Sequence, residues 1–187
     1  MAGLLQSKKA APGLARFLGV SQIASPRKLF EWEAQKNFMP WATIGQKPIY
    51  LEDKATLAAL CDDNFSPRQI VYLPSEAQGR ITAEADGNAR LISSHVEAAE
   101  CVFATSAERR TMLVIAQASY HCWRATLDGA PVPLYRANYA FQALEVPSGQ
   151  HEVRIKYVDS AFEIGALICF AAIITWLVLM GRCMLRQ

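Results

Sequence analysis

Cysteine, histidine and clustered positive charge are all too sparse here for several common chemistries. The five cysteines, Cys61, Cys101, Cys122, Cys169 and Cys183, form no CxxC pair and no zinc-type spacing. Two of them lie in or just beyond a long apolar run, and the other three are an odd number, so no disulfide framework is implied. Free buried thiols are expected, with a single bridge such as Cys101–Cys122 as the alternative. Of the three histidines, His95, His121 and His151, none stands beside a patterned carboxylate. His121-Cys122 is an adjacent pair of potential ligands, but strand neighbours point to opposite faces, which argues against a Cys–His nucleophile. His151 directly follows a turn and is expected to hydrogen-bond the hairpin. Asp62-Asp63-Asn64 pairs two carboxylates in a polar turn, where solvated side chains are expected. A Gly-rich phosphate loop and a Ser elbow are also missing. These absences leave no catalytic constellation, no metal site and no cofactor to expect. A formal charge of +2 without a clustered basic face excludes a nucleic-acid footprint.

Residues 1–28 hold no acidic residue and no apolar stretch long enough for a secretory signal. A short helix is expected over 12–18, with Leu14, Phe17 and Leu18 on one face, ended by Gly19 and followed by a strand over 20–24. A basic transit-type leader is the alternative. Phe30, Trp32 and Ala34 alternate against Glu31 and Glu33. Trp32 and Trp41 are expected in the core, with sugar stacking as the alternative for each. Residues 52–60 read as a helix capped by Asp53, and 69–73 as a strand closed by Pro74. Gly79, Gly87 and Asn88 make 75–88 a loop. Strands are expected over 89–96, 99–105 and 111–118. The apolar run MLVIAQA suits a central strand buried on both faces.

Residues 119–157 carry the clearest pattern. Trp123, Ala125 and Leu127 alternate with Arg124 and Thr126, and Asp128-Gly129 supplies the turn that follows. Val153, Ile155 and Tyr157 alternate with Glu152, Arg154 and Lys156 after a Pro147-Ser148-Gly149 turn, the mark of a strand buried on one side. About six or seven strands at regular spacing predict a mainly β chain, an antiparallel β-sandwich or jelly-roll-like domain. The expected organisation is an N-terminal α+β portion over 1–74, a loop or linker over 75–88 and a sandwich body over 89–160. A transmembrane helix over 161–181 and a tail over 182–187 complete it.

The membrane helix rests on residues 164–181, which carry no charge and are apolar around the whole circumference. At ~1.5 Å per residue they span about 27 Å, enough for a bilayer core. Arg182 and Arg186 favour a cytoplasmic C-terminus and hence an outer β-domain, although Arg154 and Lys156 precede the span. An outer domain needs a translocation signal, so earlier helices of a larger protein are expected to supply one.

The residues Tyr120, Trp123, Arg124, Ala125, Asp128, Gly129, Arg136, Ala137, Asn138, Phe141, Val146, Pro147, Gly149, His151, Val153 and Tyr157 resemble the C-terminal extracytoplasmic segment of the YfhO-type family of bacterial multi-spanning membrane proteins. His121-Cys122 stands where that family usually has Pro-Gly. The resemblance is close over 119–165, looser over 13–74 and weak over 75–110. It implies a parent protein linked to sugar transfer from a lipid carrier onto cell-envelope polymers, with any catalytic residues in a multi-helix portion outside this chain. The chain would then be a non-catalytic outer domain in the cell membrane. Its partners would be the lipid bilayer, the multi-helix portion and a glycan. An independent single-span binding or assembly module is the alternative, with Gly165 and Ala166 allowing close helix approach. Tyr120, Trp123, Tyr135, Arg136, Asn138 and Tyr139 are the candidate contacts for a glycan or a lipid headgroup, since aromatic rings beside Arg and Asn suit stacking and hydrogen bonding. The competing reading places Trp123 in the core and gives Arg136 and Asn138 the task of fixing a loop.

Overall fold

The strands of the computed structural model follow the alternation in the sequence. It describes residues 17–25, 30–36, 38–62 and 64–184, so most of the expected helix over 12–18, Asp63 and Arg186 lie outside the described residues. The chain is mostly β and forms two compact units, Met1–Lys156 and Tyr157–Gln187. A small hairpin comes first, β1 (Gln22–Ala24) with β2 (Trp32–Ala34). One five-stranded sheet has the order β10-β11-β7-β3-β4. Its members are β3 (Ala42–Leu51), β4 (Ile70–Pro74), β7 (Thr111–Ile115), β10 (Tyr135–Ala137) and β11 (Phe141–Val146). The other runs β5-β6-β12-β8-β9, from β5 (Arg90–Val96), β6 (Glu100–Ala107), β8 (Trp123–Leu127), β9 (Ala130–Val132) and β12 (Gly149–Tyr157).

Central β7 is buried along its whole length, as its unbroken apolar run predicts. Met112 and Val114 join Leu60, Val71, Leu73, Ile81 and Ala143 in one cluster. On the opposite face Leu113, Ile115, Leu144 and Val146 are no more than 1% exposed. The second sheet has a single buried face, Cys101, Phe103, Val153, Ile155, Trp123 and Ala125, and this is the surface available to cover them. Phe103 lies directly across from Val153, and Cys101 from Ile155. Each such fully buried large side chain contributes roughly 1.5–3 kcal/mol of burial free energy.

The longest strand, β3, was not expected, because Gly45 and Pro48 punctuate its sequence. Two neighbours use different halves of it. Ala42–Gln46 pairs antiparallel with β7, and Lys47–Leu51 pairs parallel with β4. The antiparallel register shifts between Ile44 and Gln46, and Gly45 sits there at φ +100°. A β-carbon at Gly45 would lie 2.4 Å from the Asp86 carbonyl oxygen, so only glycine fits this bulge. The Lys47 N–H donates to Gln69 O at 2.8 Å. Pro48, one residue on, therefore turns its missing N–H away from β4, beyond the end of the β7 pairing, and costs no ladder bond.

A parallel pair needs a crossover, and helix α1 (Asp53–Leu60) provides it between β3 and β4. Glu52 rather than Asp53 holds its N-cap position, with no side-chain cap bond; the Glu52 carboxylate accepts from Ser75 Oγ, and that of Asp53 is engaged by Arg136. Residues 75–88 are irregular apart from a 3₁₀ turn, Ser75–Ala77, yet they are packed: Ala77, Ile81 and Ala83 are buried. Asp86 is 5% exposed, and its carboxylate accepts from the backbone N–H groups of Asn88, Glu108 and Arg109 at 2.7–3.0 Å. β3 and β4 thus share one sheet with the later strands β7, β10 and β11.

Leu127 pairs with Ala130 across Asp128-Gly129, both at positive φ, the two-residue hairpin that Asp-Gly favours. Asp128 then ties this turn to β12. Its Oδ1 accepts from the Glu152 N–H at 2.8 Å and its Oδ2 from His151 Nδ1 at 2.6 Å. The other ring nitrogen, Nε2, lies 3.1 Å from Ser148 O. A carboxylate and a carbonyl can only accept, so this geometry favours the imidazolium, which donates from both ring nitrogens. Consistently, Asp128 raises the His151 pKa, and the His151 bond lowers that of Asp128. His151 was expected to hydrogen-bond the hairpin whose Pro147-Ser148-Gly149 turn it follows; its Nε2 does so at Ser148 O, and its Nδ1 reaches the Asp128-Gly129 turn as well.

In the second unit, helix α2 (Ser160–Met184) opens with the Phe162 N–H donating to Asp159 Oδ1 at 3.0 Å, an N-cap bond. Ser160–Val178 is long and apolar enough to cross a membrane, and every residue in it is exposed. A helix apolar all round and exposed along this length is the opposite of a soluble core helix.

The His151–Asp128 pair gives a pH signature. The raised His151 pKa contributes stability that is fully present below its unfolded value of about 6.5 and lost as pH rises through the folded pKa. The lowered Asp128 pKa contributes stability present above about 3.9 and lost as pH falls through the folded one. The melting-temperature advantage of the native chain over His151→Gln is therefore expected to peak between about pH 4 and 6.5. Thermal scans across pH check this, and a flat difference would contradict it.

Candidate functional site

The six sequence-predicted contacts fall into two groups. Tyr135, Arg136, Asn138 and Tyr139 belong to β10 and the turn after it, whereas Tyr120 and Trp123 stand at a cleft beside β8.

The first group is a clasp between chain segments. Asn138 is 4% exposed. Its N–H donates to Tyr72 O at 2.7 Å, and its Oδ1 accepts from the Tyr72 N–H at 2.9 Å. One side chain and one peptide thereby continue β4 onto the turn beyond β10, linking opposite ends of the first sheet. Asn138 and Tyr139 both take positive φ, +46° and +72°, and asparagine tolerates this region better than most side chains. Arg136 Nη2 and Nη1 donate to Asp53 Oδ1 and Oδ2 at 2.6 and 3.1 Å, a bidentate fork. Nη1 also reaches Tyr139 O at 3.3 Å. The same hydrogen bonding holds the Asp53 carboxyl below the usual carboxylate range and raises the Arg136 pKa. Both polar groups of the Arg-Ala-Asn run are thus engaged within the fold, and Ala137 between them is buried.

The second group opens on solvent. A cleft of about 650 Å³ is lined by residues 119–121, the outer part of β8, Pro131, Val132, Leu134 and Gln142. Tyr120 is 55% exposed, and its ring centroid is 4.2 Å from that of His121. Trp123 is 7% exposed, so it packs in the core as the competing reading expects, and it also lines the cleft. Gln142 is 1% exposed, with its Nε2 donating to Ala118 O at 2.8 Å and its Oε1 lacking a partner. Sequence reasoning missed Gln142, because it sits in an apolar strand, FQALEV, where only a tertiary view brings it to the cleft.

Residues 80–169 match the family model described as bacterial membrane protein YfhO. Over this stretch the chain is similar to YfhO-type proteins. The matched residues run from the packed loop before β5 into α2, so they take in the second sheet, the cleft and the start of the candidate span. No curated protein and no solved structure gives a significant match. The YfhO-type segment includes the clasp residues of β10 and its turn, but not their partners Asp53 and Tyr72, which lie upstream in the chain.

Two expectations are corrected. Trp32 is 67% exposed and Trp41 45% exposed. β2 belongs to a two-stranded hairpin with all three of its residues exposed, so it has no second layer to bury Trp32. Phe30, at the same hairpin, has positive φ and is 95% exposed. The Trp41 backbone is tied to the sheet, its carbonyl accepting from the Ala116 N–H at 2.8 Å. Cys101 and Cys122 are both free and buried, as the blander reading of the cysteines expects, and burial raises the Cys101 pKa. Cys61 is free and exposed. Among the described residues, no three His, Cys, Asp or Glu side chains come together to hold a metal.

The clasp makes a direct prediction. Asn138→Ala leaves the buried Tyr72 N–H without its acceptor and is expected to cost about 1–3 kcal/mol. Asn138→Gly relieves the positive φ yet lacks the same acceptor, so it should also be less stable than the native chain. Urea unfolding in detergent micelles measures both; wild-type stability in the glycine variant would show that the bond contributes nothing.

Proposed function

We propose that this YfhO-type membrane protein presents its β-domain on the outer face of the cell membrane, C-terminus inside. There it serves cell-envelope glycosylation by holding substrate rather than by performing chemistry. The observation that carries the reading is the family match over residues 80–169, which joins the β-domain and the start of its membrane helix in one segment. The domain itself favours a holding role. Asp128, His151, Asp86 and Asp53 are engaged in turns and clasps. Sugar transfer would be the work of a multi-helix portion of the same or a partner protein.

A second reading draws on the exposed hairpin. Phe30 and Trp32, with Trp41 nearby in sequence, offer aromatic surface to a protein partner, which suits an independent single-span assembly module. The two readings differ in what removal of residues 89–157 does in the native host. The glycosylation reading expects the sugar content of an envelope polymer to fall while the remaining protein stays in the membrane. Unchanged sugar content with the truncated protein present at normal level would remove that reading.

A further inference from the structure

The cleft beside β8 is a better-defined site than the glycan reading alone requires, and its charge narrows the ligand. Its volume of about 650 Å³ lies within the range of small-ligand sites, about 300–1,000 Å³. The Tyr120–His121 ring pair supplies an aromatic wall. No Asp or Glu is among the lining residues, so Arg124 is the one permanent charge there. Its Nη1 donates to the backbone carbonyls of His121 and, at 3.0 Å, Trp123, which fixes the guanidinium in place. Arg110, Arg136 and Arg154 each meet a carboxylate; among the described residues Arg124 meets none, and its Nη2 and Nε retain donors. At the floor, the buried Gln142 amide oxygen has no donor from the protein. A buried acceptor without a donor is costly, and a ligand hydroxyl would relieve that cost.

We propose that this cleft binds an anionic sugar. The pyranose face lies against Tyr120, a carboxylate or phosphate on the sugar meets Arg124, and a ring hydroxyl donates toward Gln142 Oε1. A stacked ring, a fixed cation and a lone acceptor are the complement of a polyhydroxylated ring with a negative substituent. This inference rests on the glycan-holding reading and assigns it a place and a charge. Two sources share the chemistry: a uronic acid of an envelope polymer and a sugar 1-phosphate of a lipid carrier.

The full chain in phosphatidylcholine nanodiscs provides the test, with saturation-transfer NMR against glucuronate, glucose 1-phosphate, glucose and inorganic phosphate. At least one anionic sugar is expected to bind about tenfold more tightly than glucose, the difference one charge-assisted contact makes. Whichever of the two binds better identifies the source. Arg124→Gln should bring that sugar down to the level of glucose, and Tyr120→Ala should weaken both sugars. Both side chains are exposed enough for the fold to survive, and an unchanged melting temperature verifies it. Equal binding of glucose and the anionic sugars, binding of inorganic phosphate as tight as the sugars, or no saturation transfer at all would each overturn the proposal. Loss of envelope sugar on domain removal, with full activity retained in both point variants, would overturn the cleft and leave the glycosylation reading standing.

Discussion

Burial of β7 on both faces is the constraint on which the rest of the β-domain depends. A strand with five consecutive buried residues needs two covering layers. One is built from α1, the loop 75–88 and their apolar side chains; the other is the second sheet. From this follow the crossover that places α1, the bulge at Gly45 that lets β3 pass from β7 to β4, and the packing of a loop with little regular structure. Asp86 accepts three backbone N–H groups because that loop is held against the sheet, where unpaired polar groups would be costly.

The residues that made the chain recognisable are mainly devices of connection. Asp128, Gly129, Gly149 and His151 form one turn system, with a β-carbon on Gly149 falling 3.3 Å from the imidazole. Arg136 and Asn138 clasp β10 and its turn to α1 and β4. Such positions combine positive φ with a short polar side chain or glycine, and few substitutions meet both demands. The cleft lies elsewhere, at β8 and the segment before it, where His121-Cys122 replaces the Pro-Gly that the resemblance leads one to expect.

Much of the fold was legible because it obeys simple periods. The alternation at Val153 and Ile155, the continuous run in β7, the Asp-Gly turn and the uncharged helix each follow from local sequence. β3 was hidden because its strand is divided between two partners, so Gly45 and Pro48 read as breakers while tertiary pairing makes them tolerable. Trp32 was assigned to a core on hydrophobicity alone, yet hydrophobicity cannot say whether a second layer exists above a hairpin. The site was half legible. Tyr120 and Trp123 announce themselves by type, whereas Gln142 and the missing acidic neighbours of Arg124 emerge only when distant strands meet. Arg136 and Asn138 look like binding residues in sequence, and their partners Asp53 and Tyr72 are 83 and 66 residues away.

The central claim is that the β-domain faces outward, since a domain on the inner face would meet neither envelope polymer nor outward-facing carrier sugar. Cys61 is an exposed free thiol of that domain, while Cys101 and Cys122 are buried. Labelling a Cys169→Ala/Cys183→Ser chain in intact protoplasts with a membrane-impermeant maleimide reads the orientation directly. Modification of Cys61 without permeabilisation is the result this account predicts. Modification only after the membrane is opened would place the domain inside and contradict it.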